Sequence, residues 1–314
     1  MPTDPIFTSF EPRHVDLWGQ TPLRLSHRLD RSELFSNEAL GALIDHYPRD
    51  GYSLVQWGEQ GTERGSWREG ELGGMPGIEA IEAVARSRIW INLRDVGAVD
   101  PRYAALRDAI FAELRAHMPD YGMYGEKIGI LISSPGSRTL YHADLPGQCL
   151  WQMRGVKRVY VYPTAPPFIR PEHVEGIALS GVEVNMPYQP WYDEHATVYD
   201  LEPGQMLHWP LNAPHRVDNH DCLNVSMTME YFTDEIRRSH MVTVANGIMR
   251  HKLGLAPQSR ATSGPGFWAK AVFQKALKNT PWVKRENKPR KPSTFMLDRA
   301  RPGVIIELPR QAAE

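Results

Sequence analysis

Between Tyr121 and Phe232 the chain breaks into short runs of β-branched and aromatic residues, and this restricts the fold more than any other feature. The runs are Lys127–Ser133, Gln148–Met153, Arg158–Tyr162, Ala196–Leu201, Gln205–Trp209 and Leu223–Phe232. Turn residues punctuate them, among others Ser134-Pro135-Gly136, Arg154-Gly155 and Glu202-Pro203-Gly204. Many short strands at this spacing predict a β-sandwich or a double-stranded β-helix. The expected class is therefore mainly β with helical additions: a double-stranded β-helix (jelly-roll) core over 121–234, an N-terminal α/β elaboration over 1–120 packed on the barrel, and a C-terminal helical and basic extension over 235–314.

The flanks fit that division. Residues 1–35 read as irregular, anchored by Phe10, Trp18 and Leu25. Ser36 and Asn37 are N-caps for a short helix through Ala39, Leu40, Leu43 and Ile44. A strand at Gly51–Trp57 and a Gly-rich polar loop at Gly58–Gly74 follow. Helical patterning then appears at Ile78–Ala85 and at Tyr103–His117, where Leu106, Ile110 and Leu114 recur at helical spacing. After Asp234 the pattern turns helical, then basic and Pro-rich over Trp282–Pro292.

With 314 residues, 41% of them hydrophobic, the chain can bury a sizeable core. No apolar run reaches membrane-spanning length, and the start MPTDPIFTSFEPRHVD lacks the pattern of a signal peptide. Two cysteines, Cys149 and Cys222, make neither a disulfide framework nor a zinc site alone, so a reducing cytoplasm is expected. The net charge of −1 hides an asymmetry. From Arg237 onward there are 16 Lys/Arg against 4 Asp/Glu, and the preceding part carries a formal −13. A basic tail on an acidic body implies an anionic partner or packing of the tail against the body, and the second is preferred.

Within the β region stands Tyr141-His142-Ala143-Asp144. At a strand end His142 and Asp144, two apart, point to one side and can share a metal. The third ligand must come from a facing strand. His215 is the candidate, presented by a proline-flanked loop at the start of a strand, after a Pro203-Gly204 turn and an apolar run. Two imidazoles and one carboxylate leave three positions open on an octahedral ferrous ion; a hydrolytic zinc site could use similar ligands. His-x-Asp alone is weak, and His14-Val15-Asp16 repeats it without a flanking strand. His208 competes with His215 by position, but reads better as a barrel-lining group.

Taken together, Thr139-x-x-His142-x-Asp144, Gly155-x-Lys157-Arg158 with a strand ending at Pro163, and Pro203-Gly204 leading to Pro214-His215 resemble the jumonji-C/cupin-like oxygenases. The chain looks especially like the branch of the asparaginyl hydroxylase that inhibits hypoxia-inducible factor. The resemblance covers roughly 125–232, about a third of the chain. It implies iron(II) on His142, Asp144 and His215, with 2-oxoglutarate as cosubstrate and its far carboxylate on Lys157 and Thr139. It further implies an amide contact from Gln148 and an assisting tyrosine, Tyr124 or Tyr121. Where those relatives carry an Asn after the distal histidine, this chain offers Ser226, Thr228 or Glu230. The implied activity is a dioxygenase that hydroxylates a substrate while 2-oxoglutarate becomes succinate and carbon dioxide.

Other residues carry less. Trp151 and Trp209 are cavity walls or core, and Arg138 and Arg158 read as solvated strand residues. Phe267–Lys278 reads as a basic amphipathic helix with Phe267, Trp268, Ala271, Val272 and Leu277 on its apolar side. Packing on the barrel or on a second subunit, giving a homodimer through the C-terminal helices, is preferred to contact with a membrane or nucleic acid. The alternative function is a catalytically inactive cupin-like binding or regulatory protein acting through its basic tail. The sequence leaves the substrate open between a small molecule and a protein side chain, with the small molecule preferred, and assigns its selection to the N-terminal part.

Overall fold

The computed structural model describes residues 4–56, 67–181, 186–277, 280 and 292–309. In chain order the main elements are α1 (Pro12–Leu17), β1 (Leu23–Ser26), α2 (Asn37–Asp45), β2 (Tyr52–Gln56), β3 (Arg68–Glu71), α3 (Gly77–Ala85), β4 (Ile89–Leu93) and α4 (Pro101–His117). Then come β5 (Tyr124–Ser133), β6 (Arg138–His142), β7 (Gly147–Arg154), β8 (Lys157–Val161), α5 (Pro171–Ser180), β9 (Thr197–Leu201), β10 (Gln205–His208), β11 (His215–Asn219) and β12 (Asn224–Phe232). The chain continues through α6 (Asp234–Leu253), α7 (Gly264–Leu277), β13 (Phe295–Leu297) and β14 (Ile305–Glu307).

The core is a double-stranded β-helix. Strands β10-β7-β12-β5 lie side by side in one sheet and β6-β11-β8-β9 form the facing sheet. All these pairings are antiparallel, and the chain passes from sheet to sheet as it advances. Leu150, Val159, Val161, Leu201, Leu207 and Val217 pack between the sheets. Two facing sheets around a shared apolar core are what the short runs predicted.

The N-terminal part extends the larger sheet. Strand β4 pairs with β5, β2 with β4 and β3 with β2, while β1 closes the other edge on β10. On the back of that sheet Leu40, Leu43, Ile81, Val84, Ile110 and Leu114, from α2, α3 and α4, join Ile128, Ile130 and Ile132 in the main apolar core. Ser36 caps α2 as predicted, its Oγ accepting from Ala39 N. Several expectations change. Residues 4–35, expected to be irregular, include α1 and β1, and His14 of the second His-x-Asp pair caps α1 by accepting from Glu11 N. Strands β4, β13 and β14 and helix α5 were not anticipated, and β3 falls inside the segment expected to be a Gly-rich loop, where it pairs with β2 and β13. Most of the Gly-rich loop expected over Gly58–Gly74, and most of the basic stretch Trp282–Pro292, lie outside the described residues.

Helix α7 packs inward through Phe267, with Phe273 and Leu277 against Ala178, Val244 and Ile248. Trp268 and Val272, expected on the same apolar side, face outward at 61% and 66% exposure. No helix of the described residues is long and apolar enough to cross a membrane.

Candidate metal centre

Strands β6, β11 and β8 place the site in successive rungs, because residues directly opposed on neighbouring strands project to the same face. One rung joins His142, His215 and Val161; the next joins Thr139, Val217 and Val159. A third brings Asn219 opposite Lys157, with the Ser137 carbonyl accepting from Asn219 N on the other side. The β6–β11 register shifts between the first two rungs, so three steps on β6 match two on β11. Without that bulge, alternation would bring Tyr141 into the cavity. With it, His142 turns inward, and Tyr141 packs outside the barrel with Tyr162 and Phe168.

The two histidines are oriented alike. His142 Nδ1 donates to the Leu140 carbonyl at 2.7 Å and His215 Nδ1 donates to the Ala213 carbonyl at 3.0 Å. Since a carbonyl only accepts, each ring carries its proton on Nδ1 and keeps the Nε2 lone pair free. His215 Nε2 lies 3.4 Å from Asp144 Oδ2, and one ligand atom from each of His142, Asp144 and His215 falls within 4.8 Å of the others. Burial raises the Asp144 carboxyl, opposed by His142; burial and then His142 hold His215 well below the usual imidazole range. Two lone pairs and a carboxylate converging in a buried place form a cation site. Two further contacts fix it: Trp209 lies 4.4 Å from the His215 ring, and Asn212, in the left-handed region at φ 59°, donates to the Asp144 carbonyl at 2.5 Å.

A cavity of about 440 Å³ runs from the triad to the third rung. Its inner end holds Lys157, which is 4% exposed and has Cys222 rather than a carboxylate as its electrostatic neighbour. Burial pushes its ammonium down to about 7. At the triad end Lys127, Glu230 and Gln148 form one rung across β5, β12 and β7 and line the same cavity. Burial, then the Asp144 charge, raises the Glu230 carboxyl. Trp67, Trp90 and Asp95 from the N-terminal part complete the wall.

The structure thus gathers His142, Asp144, His215, Lys157, Thr139 and Gln148 around one cavity. It leaves out the expected tyrosine. Tyr124 lies outside the cavity, its hydroxyl directed to the Thr233 carbonyl at 3.4 Å, and Tyr121 lines a separate depression with Trp18 and Tyr231. Tyr124 begins β5, where its hydroxyl meets the end of β12 rather than the barrel interior. His208 is buried on the back of the larger sheet, stacked on Trp18 and accepting from Gly19 N. It does not line the barrel cavity. Arg158 pairs with Asp200, while Trp151 is core and Trp209 is cavity wall. Of the three replacements for the relatives' Asn, Thr228 and Glu230 line the cavity; Ser226 instead bonds Gln152 at 2.6 Å. Sequence reasoning missed Ser137 and Asn219, which strand parity with Thr139 and His215 would have found.

No protein-family profile matches the chain, and a search of curated proteins finds no match. Solved structures do match. That of Escherichia coli YcfD has 16% identity and a TM-score of 0.51, covering 88% of this chain and 70% of that one. YcfD described as a ribosomal oxygenase in complex with cobalt and 2-oxoglutarate has 18% identity and a TM-score of 0.51, covering 88% and 68%. Its complex with cobalt and succinic acid, at 18% identity and the same coverage, gives a TM-score of 0.50. At such identity the likeness shows the fold: this chain is built on the scaffold of those oxygenases. It adds no separate support for the asparaginyl-hydroxylase branch.

Proposed function

We propose that this chain is an iron(II)- and 2-oxoglutarate-dependent dioxygenase that hydroxylates a small-molecule or protein side-chain substrate. The observation that carries the reading is a buried lysine that has no carboxylate partner among the described residues, two rungs from a His-Asp-His triad in the same cavity. Burying an ammonium is costly unless an anion joins it. His215 and Asn219 are four residues apart along β11, about 13 Å at ~3.3 Å per residue. The lysine reaches into that span, and a five-carbon 2-oxo diacid fits between its ammonium and the triad. The cobalt, 2-oxoglutarate and succinate held by the neighbouring fold support the same reading.

In this reading His142 Nε2, His215 Nε2 and the Asp144 carboxylate hold the ion, and the Leu140 and Ala213 carbonyls keep both rings in the binding tautomer. A ferrous ion with bound 2-oxo acid would supply the redox chemistry in which dioxygen is the oxidant, one of its oxygen atoms going to succinate as carbon dioxide leaves and the other into a substrate C–H bond. The protein's part is positioning and dryness. Lys157 neutralises the far carboxylate, Thr139 stands on the adjacent rung, and Val159, Val217 and Leu131 exclude water between them. Trp67, Trp90, Asp95, Lys127 and Glu230 remain for the substrate, a wall contributed partly by the N-terminal elaboration.

The test is succinate formation from 2-oxoglutarate by the full chain with iron(II) and ascorbate. Wild type is expected to turn over slowly without substrate, and Asp144→Ala to lose that turnover. Absence of both turnover and anaerobic 2-oxoglutarate binding by wild type would remove the reading.

A further inference from the structure

A buried hydroxyl without a hydrogen bond is rare in folded proteins, and Ser137 carries one beside the cavity. Ser137 is 3% exposed, and its Oγ has no partner among the described residues. A serine hydroxyl can usually rotate toward a nearby acceptor, but the polar groups of this corner are engaged with one another. Asn219 Nδ2 donates to Ser133 Oγ and to the Ser134 carbonyl. The Ser137 amide donates to that same carbonyl, and the Ser137 carbonyl accepts from Asn219 N. What remains is one hydroxyl lining the cavity, on the rung that brings Asn219 opposite Lys157.

We infer that Ser137 donates a hydrogen bond to the distal carboxylate of the cosubstrate, taking the place the sequence had given to a tyrosine. The inference rests on the oxygenase reading above and adds a ligand-selecting residue to it. A carboxylate offers two oxygens and about four lone-pair directions. The Lys157 ammonium takes up part of that capacity; the Ser137 hydroxyl, and Thr139 one rung nearer the triad, supply neutral donors from the other side of β11 in the same sheet. Donation to a charged oxygen is stronger than donation to a neutral one. Ser137 therefore contributes to binding only when the ligand has a carboxylate at its far end. It acts as a discriminator between 2-oxo diacids and 2-oxo monoacids.

The experiment is anaerobic calorimetry on the full chain loaded with iron(II), using two ligands. One is 2-oxoglutarate; the other is 2-oxovalerate, which keeps the chelating head and lacks the distal carboxylate. Ser137→Ala is expected to weaken 2-oxoglutarate about ten- to a hundredfold, the scale of one hydrogen bond to a charged group, and to leave 2-oxovalerate unchanged. Ser137→Cys, similar in shape and a weaker donor, is expected to shift in the same direction and keeps the test open should alanine disturb the fold. Equal weakening of both ligands would mark Ser137 as merely structural and overturn the assignment, as would unchanged 2-oxoglutarate affinity in both variants. Failure of wild type to bind 2-oxoglutarate would remove the oxygenase reading first, and this assignment with it.

Discussion

Lys157 illustrates how one residue trades stability for binding. Desolvation lowers its pKa from 10.5 to about 7, so an unliganded chain near neutrality holds a partly deprotonated ammonium. The unfolded state binds more protons between about 7 and 10.5, and stability therefore rises with pH through that window. Lys157→Met should stabilise the free protein by about 1–4 kcal/mol below pH 7, with the gain disappearing toward pH 10.5, as followed by urea unfolding. The same substitution should abolish 2-oxoglutarate binding. Because the ammonium is the binding form, 2-oxoglutarate affinity should be flat below pH 7 and fall by up to about tenfold per unit above it. Affinity that instead rose with pH would place the anion elsewhere.

At the scale of elements, the β7–β8 hairpin decides whether Lys157 enters the barrel at all. Gly155 turns the chain at φ +75°, and a Cβ there would stand 2.4 Å from the Leu223 carbonyl oxygen. Both the left-handed backbone and the close approach require glycine. Gly155→Ala should cost about 2 kcal/mol or more and weaken 2-oxoglutarate binding by displacing the strand two residues later. A chemical denaturation curve paired with calorimetry separates the two effects. The β6 bulge is the complementary device: it adds one residue of stagger, so His142 and not Tyr141 meets His215. The hairpin was legible as Arg154-Gly155 before Lys157, because turn chemistry is local. The bulge was not, because it exists only in the pairing of two strands over seventy residues apart.

For the whole molecule, the acidic body and basic tail resolve in part into internal packing. Strand β13 runs parallel to β3, Arg68 pairs with Glu307, and Phe295 is fully buried against Gly70. The α5–α6 contact is pinned by Glu175, fully buried and held by Arg250 and Arg260. Within the described tail, β13 and β14 thus form the larger sheet's edge, while α6 and α7 pack with α5. Phe295→Ala should cost about 3–5 kcal/mol and lower the melting temperature, although the residue lies far from the triad in sequence. A loss below 1 kcal/mol would mean that the edge folds independently of the body.

The sequence by itself determined the strand-rich core, the helices with clear apolar spacing, and the triad with Lys157, since all depend on local periodicity and on ligand chemistry. Strand β4 escaped because the alternation of Ile89, Ile91 and Leu93 is short and lies outside the run of core strands. Only the tertiary structure decided that Tyr124 points away, that His208 belongs to the back of the sheet, and that Trp67 and Trp90 wall the cavity. Each follows from which face of a sheet a neighbour covers. It also exposed the unpartnered hydroxyl of Ser137: satisfaction of a hydrogen bond is a property of everything around an atom, and no sequence window contains it.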